Sequence, residues 1–415
     1  MTATATKIPA LRFPEFEGEW VENTLENLFS FKNGLNKEKE YFGRGTPIVN
    51  FKDVFNESDL NKANIKGLVE VTDKEKANYS ANKGDVFFTR TSETIEEIGI
   101  AAVLSEGIED CVFSGFVLRA RPKNHTLVDL FKKYCFSISS VRKEIVTKSS
   151  FTTRALTSGT LLNKVVIIYP SSNAEQQKIA TFITTIDTRI QQLSRKKALL
   201  EQYKKGVMQQ IFSQEIRFKD EEGREFPAWE QLELCEVAVR VLEKNRDNAI
   251  TFVLTNSATQ GIVSQQDYFD KDIANPNNLE GYYVVQIDDF VYNPRISSTA
   301  PVGPVKRNKL SKGVMSPLYT VFRFKIHDIQ FFEYFFETTQ WHFYMKSVAN
   351  YGIRHDRMNI TNADFIKMPI PIPVLEEQQK IAAFLSTLDR QINLVSQQLE
   401  RMQAFKKGLL QQMFV

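Results

Sequence analysis

Apolar residues recur in alternating steps of four and three near the end of the chain. Ile381, Leu385, Leu388, Ile392, Val395, Leu399, Met402, Lys406, Leu409 and Met413 keep this rhythm, and nine of the ten are apolar. The same steps run through Ile179, Ile183, Ile186, Ile190, Leu193, Lys197, Leu200, Lys204, Val207 and Ile211, eight of them apolar. An average spacing of 3.5 residues predicts a long helix whose apolar stripe is a coiled-coil seam. The predicted seam centres on Ile183, Ile186, Ile190 and Leu193 in one helix and on Leu385, Leu388, Ile392 and Val395 in the other. Ser172 and Glu175 suit a capping box at the first start. Pro371 and Pro373 end whatever precedes the second helix and let a helix begin after them. Each helix would run roughly 57 Å at about 1.5 Å per residue.

The two seams are copies. "EQQKIA" stands at Glu175–Ala180 and again at Glu377–Ala382, and the following residues align without a gap at an offset of 202, with 17 of 38 positions identical. A repeat of this size organises everything else in the chain. Two copies of one seam favour pairing with each other over packing on separate domains.

The duplication extends outside the helices. "RFPEFEGEW" (Arg12–Trp20) is echoed by "RFKDEEGREFPAW" (Arg217–Trp229). "GDVFFTRTS" (Gly84–Ser92) is matched by "DDFVYNPRIS" (Asp288–Ser297), where Asp288 replaces a glycine and Pro294 is extra. Both predict a strand, and Pro294 predicts a bulge. "FSGFVLRARP" (Phe113–Pro122) faces "MSPLYTVFRF" (Met315–Phe324). The expected fold is mixed α/β. Two α/β domains are separated by two long helices, in a pseudo-two-fold repeat. The expected boundaries are 1–169 for the first lead-in and domain, 170–214 for the first helix, 215–370 for the second lead-in and domain, and 371–415 for the second helix. The end of the second helix near Phe414 should lie close to Arg12, as the end of the first lies close to Arg217.

Composition adds little. With 53 Lys and Arg against 50 Asp and Glu, the net charge is +3, a weak hint of polyanion binding. No apolar run is long enough to span a bilayer, and Met1–Trp20 lacks the apolar core of a secretory leader. Cys111, Cys135 and Cys235 show no paired spacing, which fits a reduced cytoplasm.

Candidate chemistry is sparse. No Gly-x-x-x-x-Gly-Lys-Ser/Thr phosphate loop is present. "YFGRGTP" (Tyr41–Pro47) lacks the third glycine of a dinucleotide loop and reads as a turn. "YNPRIS" (Tyr292–Ser297) resembles the Asn-Pro-Pro-Tyr/Phe motif of amino-methyltransferases, but Arg295 replaces the second proline. The four histidines form no metal-binding spacing. No catalytic residue and no metal ligand is expected.

Local charge is more informative. Phe290–His327 contains no acid and carries Arg295, Lys306, Arg307, Lys309, Lys312, Arg323 and Lys325. A looser basic stretch in the first domain holds Lys132, Lys133, Arg142, Lys143, Lys148 and Arg154. Lys and Arg neutralise phosphates, and Arg, Asn, Ser and Thr can also bond base edges. From charge and side-chain type alone, the candidate DNA contacts are Arg90, Lys148, Thr153 and Arg154 in the first domain. In the second they are Arg295, Ser297, Lys306, Arg354 and Arg357. Two such domains on a rigid spacer suit two half-sites at fixed separation.

The pattern resembles the specificity subunits of type I restriction–modification systems. The resemblance rests on the duplicated "EQQKIA", the helix tails "YKKGVMQQIF" and "FKKGLLQQMF", the Arg-Phe…Trp lead-ins and the "GDVFFTR" strand. It implies a DNA-specificity subunit in which each domain reads one half of a bipartite double-stranded site. The helices would form an antiparallel coiled coil that sets the spacer and docks two methyltransferase subunits, and restriction–translocase subunits would join them. It implies no catalytic centre in this chain. S-adenosylmethionine, ATP and magnesium would belong to the partners, in the cytoplasm. A scaffold that organises partners without reading DNA is the competing reading.

Overall fold

The computed structural model describes residues 7–269, 279–325, 327–350 and 356–415. The chain forms two compact units. Unit 1 comprises residues 1–194 with 397–415, and unit 2 comprises residues 195–396. The two long helices span Asn173–Phe212 and Leu375–Gln412. Each helix therefore divides its length between the units.

Unit 1 is built on a five-stranded sheet in the order Phe29–Asn33, Val117–Pro122, Val86–Thr89, Ala101–Leu104, Asp59–Leu60. All neighbours are antiparallel except the last pair. Val86, Phe87, Phe88 and Thr89 are all buried, as expected of a central strand covered on both faces. One face packs on a core that includes Trp20, Phe29, Phe88, Phe131, Ile179 and Ile183 from the first part of the chain and Leu409, Met413 and Phe414 from its end. Unit 2 repeats the plan with four strands, in the order Ala238–Arg240, Thr320–Phe324, Phe290–Tyr292, Val305–Arg307, all antiparallel. Its core includes Phe212, Trp229, Phe290, Phe322, Phe331, Ile381 and Leu385. In the helix Ile329–Glu337, phenylalanines at 331 and 335 and at 332 and 336 stand one turn apart and are all buried.

The "EQ" of the repeated motif is explained by what it holds. In unit 1 Arg12 donates to Glu175 through Nε at 2.7 Å and Nη2 at 2.8 Å, and Trp20 Nε1 donates at 3.2 Å. In unit 2 Arg217 donates to Glu377 at 3.2 and 2.7 Å, and Trp229 Nε1 donates at 2.9 Å. The neighbouring glutamines are equally buried. Gln176 donates to the carbonyls of Thr126 and Pro170 and accepts from Val128 N–H. Gln378 donates to Pro373 O and accepts from Asp328 N–H. So the lead-in, the domain and the helix start are latched by one Glu-Gln pair in each unit. This corrects the capping-box expectation. Ser172 Oγ accepts from Glu175 N–H, but the Glu175 carboxylate turns to Arg12 and Trp20, a charged partner that outweighs one backbone N–H.

The lysines that interrupt the seams are also explained. In unit 1 Lys406 pairs with Asp187 at 2.5 Å, and Tyr134 donates to the same carboxylate at 2.8 Å. In unit 2 Lys204 pairs with Asp389 at 2.8 Å and Glu337 at 3.0 Å, and Tyr334 donates to Asp389 at 2.7 Å. Burial lowers the Lys204 pKa, but Glu337 and Asp389 outweigh it and hold the ammonium above its ordinary value. Ile183, Ile186, Leu193, Leu385, Leu388 and Val395 are buried, and Ile190 and Ile392 are half-buried. Leu11 N–H reaches Gln412 O at 2.8 Å, and the Trp20 and Phe414 rings meet edge to face. The second helix stops at Gln412, and Phe414 turns into the core against Trp20 and Phe131.

No helix among the described residues is long and apolar enough to cross a membrane.

Candidate nucleic-acid interface

The strand Phe290–Tyr292 positions the second domain's candidate residues. Asp288 precedes it with φ 71°, the left-handed conformation that Gly84 adopts with φ 85° in unit 1. Aspartate is among the few side chains that tolerate this region, so the replacement keeps the turn. Asp289 then accepts two bonds from Arg323, at 2.6 and 3.0 Å, as Asp85 does from Arg121 at 2.9 and 2.7 Å. The Asp289 hydrogen bonds raise the Arg323 pKa above its ordinary value.

Beyond the strand the chain leaves the sheet at Asn293. Asn293 Nδ2 donates to Asn256 O at 2.9 Å, and its Oδ1 accepts from Arg295 N–H at 3.0 Å. Arg295 forms an antiparallel bridge with Arg357. Met358 N–H donates to Pro294 O, and Ile296 N–H donates to Asp356 O. In unit 1 the corresponding bond is Thr157 N–H to Arg90 O, followed by the pair Thr91 and Leu156. By this register Pro294 stands where Arg90 stands, and Arg295 matches Thr91. Arg90 and Arg295 are therefore not equivalent. The offset of 204 that holds for Phe87 and Val291 still holds here, so Pro294 takes the place of Arg90 without the expected bulge, and the second arginine stands one residue further along.

Arg295 and Arg357 line one cleft of about 580 Å³ in unit 2. Thr255, Ser257, Tyr268 and Tyr319 share its wall, and no Asp or Glu is among its described lining residues. The wall is fixed by a hydrogen bond between Thr255 Oγ1 and Tyr319 OH at 3.0 Å and by Asn256 Nδ2 donating to Val291 O at 2.7 Å. Arg357 has Asp356 at 3.7 Å, while Arg295 is exposed with no side-chain partner among the described residues. Two guanidinium groups on paired backbone, facing hydroxyls and tyrosines, form a surface suited to an anion with hydrogen-bonding edges.

The remaining candidates are placed as follows. Ser297 lines the cleft but spends its hydroxyl on Thr299 and Ala300 N–H, both at 3.1 Å. Lys306 lies in the strand Val305–Arg307, half-buried and outside the cleft lining. Arg354 lies outside the described residues. In unit 1 a small sheet of Thr91–Ser92, Ala155–Leu156 and Ser150–Phe151 gathers the candidates. Arg90 enters it and donates from Nη1 to Gly115 O at 2.9 Å. Thr153 and Arg154 are exposed in its turn, with Arg154 3.3 Å from the exposed Glu93. Lys148 ends the helix Ser139–Lys148 that leads into it.

The basic stretches are less free than their composition implies. Arg307 is held by Asp288 at 2.6 Å, Lys309 by Glu333 at 2.6 Å and Arg323 by Asp289. Lys325 donates to the carbonyls of Cys235 and Glu236. In unit 1 Lys132 is buried on Gly84 O and Asp129, and Arg142 donates to the carbonyls of Glu96, Ile98 and Gly99. A run without acids counts only the residues inside it, whereas these cations meet carboxylates and carbonyls that lie outside it. The polar wall of the cleft carries no charge signal in the sequence. Its trace in the sequence is "TNSATQ" (Thr255–Gln260), a small polar run that makes up most of the strand Leu254–Ser257 and the turn after it.

Comparison with known proteins agrees with this architecture. The type I restriction modification DNA specificity domain matches residues 17–202 and 234–404. A putative type I restriction enzyme MjaX specificity subunit from Methanocaldococcus jannaschii is 23% identical over 412 residues, covering 95% of this chain and 93% of that protein. The crystal structure of a type I restriction-modification S subunit from M. genitalium is 13% identical with a TM-score of 0.57, over 98% of this chain and 99% of that one. A chain from a structure addressing assembly and conformational transition of the type I R-M system is 14% identical with a TM-score of 0.55, over 95% and 97%. With both halves of the chain matched, this protein belongs to the type I restriction–modification DNA specificity family.

Proposed function

We propose that this chain chooses the DNA target of a type I restriction–modification complex, each of its two domains reading one half of a bipartite double-stranded site. The observation that carries the proposal is the cleft of unit 2, which has no Asp or Glu among its described lining residues. It sets Arg295 and Arg357 beside hydroxyl and tyrosine groups that can bond base edges. Unit 1 offers its own arginine-bearing extension, with Arg90, Thr153 and Arg154 flanking the strands of one small sheet.

The domains are taken as 1–169 and 215–370, and the helices as 170–214 and 371–415. The helices act as an antiparallel coiled coil related by a pseudo-two-fold axis, and they set the spacer between the half-sites. Two observations support this. In unit 1 the start of the first helix meets the end of the second through Asp187 and Lys406. In unit 2 the end of the first meets the start of the second through Lys204 and Asp389. The same rod docks two methyltransferase subunits, and restriction–translocase subunits complete the assembly in the cytoplasm. The chain carries no catalytic centre. S-adenosylmethionine, ATP and magnesium are held by the partners.

The test is a methylome. Native DNA is sequenced from cells carrying the partner methyltransferase, with and without this chain. A split adenine-methylated motif that appears only with the chain is the expected result. An active methyltransferase, assembled with the chain, whose methylation pattern ignores it would overturn the proposal in favour of a scaffold.

A further inference from the structure

Phe116 and Leu318 occupy the same place in the two units. In the register of the central strands, Phe87 faces Arg119 and Val291 faces Val321. Phe116 lies three residues before Arg119, and Leu318 lies three before Val321. Each follows a serine turn closed by its own amide, which donates to Ser114 Oγ at 3.3 Å in one unit and to Ser316 Oγ at 3.4 Å in the other. Both are among the most exposed large apolar side chains, at 68% and 60%.

A single exposed apolar residue is ordinary. Here the exposure recurs at one structural position, and in both units the flanking charge is positive. Arg90 donates into the turn at Gly115 O, one residue before Phe116. Leu318 lines the cleft that holds Arg295 and Arg357. Arginines draw in a polyanion, but an apolar tip gains nothing from phosphate. Its partner on DNA is a base, through the thymine 5-methyl or the face of an opened step.

We propose that Phe116 and Leu318 are apolar base contacts, each setting base preference at one or two positions of its own half-site. The inference rests on the DNA-targeting role above and assigns the specificity-determining side chains within it. The difference between phenylalanine and leucine at one position suits two half-sites of different sequence.

The experiment uses the assembled methyltransferase complex and a library randomised through both half-sites. Phe116→Ala should flatten preference at one or two positions of one half by roughly three- to tenfold and leave the other half unchanged. Leu318→Ala should do the converse. The salt dependence should stay that of the wild type, because no phosphate contact is lost. Both side chains are exposed, so folding should hold. Thermal unfolding checks this, and Phe116→Gln and Leu318→Gln provide second variants that keep some bulk. Wild-type profiles from folded variants, or a uniform drop over all sequences, would overturn the proposal. A wild-type complex without any split preference would instead defeat the targeting role itself.

Discussion

Replacing Glu377 by glutamine tests the latch that joins lead-in, domain and helix in unit 2. Glu377 has no exposed surface and accepts from Arg217 at 3.2 and 2.7 Å and from Trp229 Nε1 at 2.9 Å. Glutamine keeps the shape and one acceptor, but its NH2 group meets a donor on Arg217 or Trp229. Removing one partner of a buried pair costs about 3–5 kcal/mol. The Arg217 side chain keeps 19% of its surface and can partly reach water, so the lower end, about 3 kcal/mol, is expected. For a domain of this size that corresponds to a Tm lowered by roughly 6–12 °C. The assay is urea unfolding of the full chain, with a double-mutant cycle through Arg217→Met. Because the double variant buries no unpaired charge, it should be less destabilised than the two single costs added together. A Glu377→Gln protein within about 0.5 kcal/mol of wild type, or strictly additive costs, would refute the latch.

Other outcomes follow from the same packing. Leu385→Ala, at a fully buried position, should cost about 2–5 kcal/mol, while Leu394→Ala, at 52% exposure, should stay within about 0.5 kcal/mol, both read by denaturant unfolding. Inserting one heptad at matching places in both helices adds about 10 Å of helix, so the methylated motif should keep both halves and widen its gap by roughly three base pairs. Burial holds His327 and His342 below their ordinary pKa of 6.5, with Lys346 adding to the effect at His342. The unfolded chain then binds protons that the folded unit resists. Unit 2 should keep its stability above about pH 6.5 and lose it as the pH falls below that value, and His342→Phe should flatten the slope in unfolding midpoints.

The long helices were legible because a seam is a local rhythm and because the rhythm is written twice. Strands such as Val86–Thr89 and Phe290–Tyr292 were legible as apolar runs after paired polar residues. The latch was half legible: the repeated "EQ" and the repeated Arg-Phe…Trp stood out, but nothing in the spacing joins Arg12 to Glu175, which is 163 residues away. Charge was the poorest guide. Lys132 and Arg307 count as basic in any window, yet one is buried on a carbonyl and the other is held by Asp288. Arg295 and Arg357 were named from composition, but their pairing across a bridge needed the fold. That Pro294 takes the place of Arg90 needed the hydrogen bonds of both units side by side.

The closing of unit 1 by Met413 and Phe414 sets an order of folding. An amino-terminal domain ordinarily folds first, while the ribosome is still making the rest. Here the contiguous unit is the second, residues 195–396. The first unit has made Trp20 and Phe131 long before the rings and methyls that cover them, Leu409, Met413 and Phe414, exist. During translation its core stays open until residues 397–415 emerge. A frameshift just after residue 396 would leave every residue of the contiguous unit in place and strip the unit at the other end of the message.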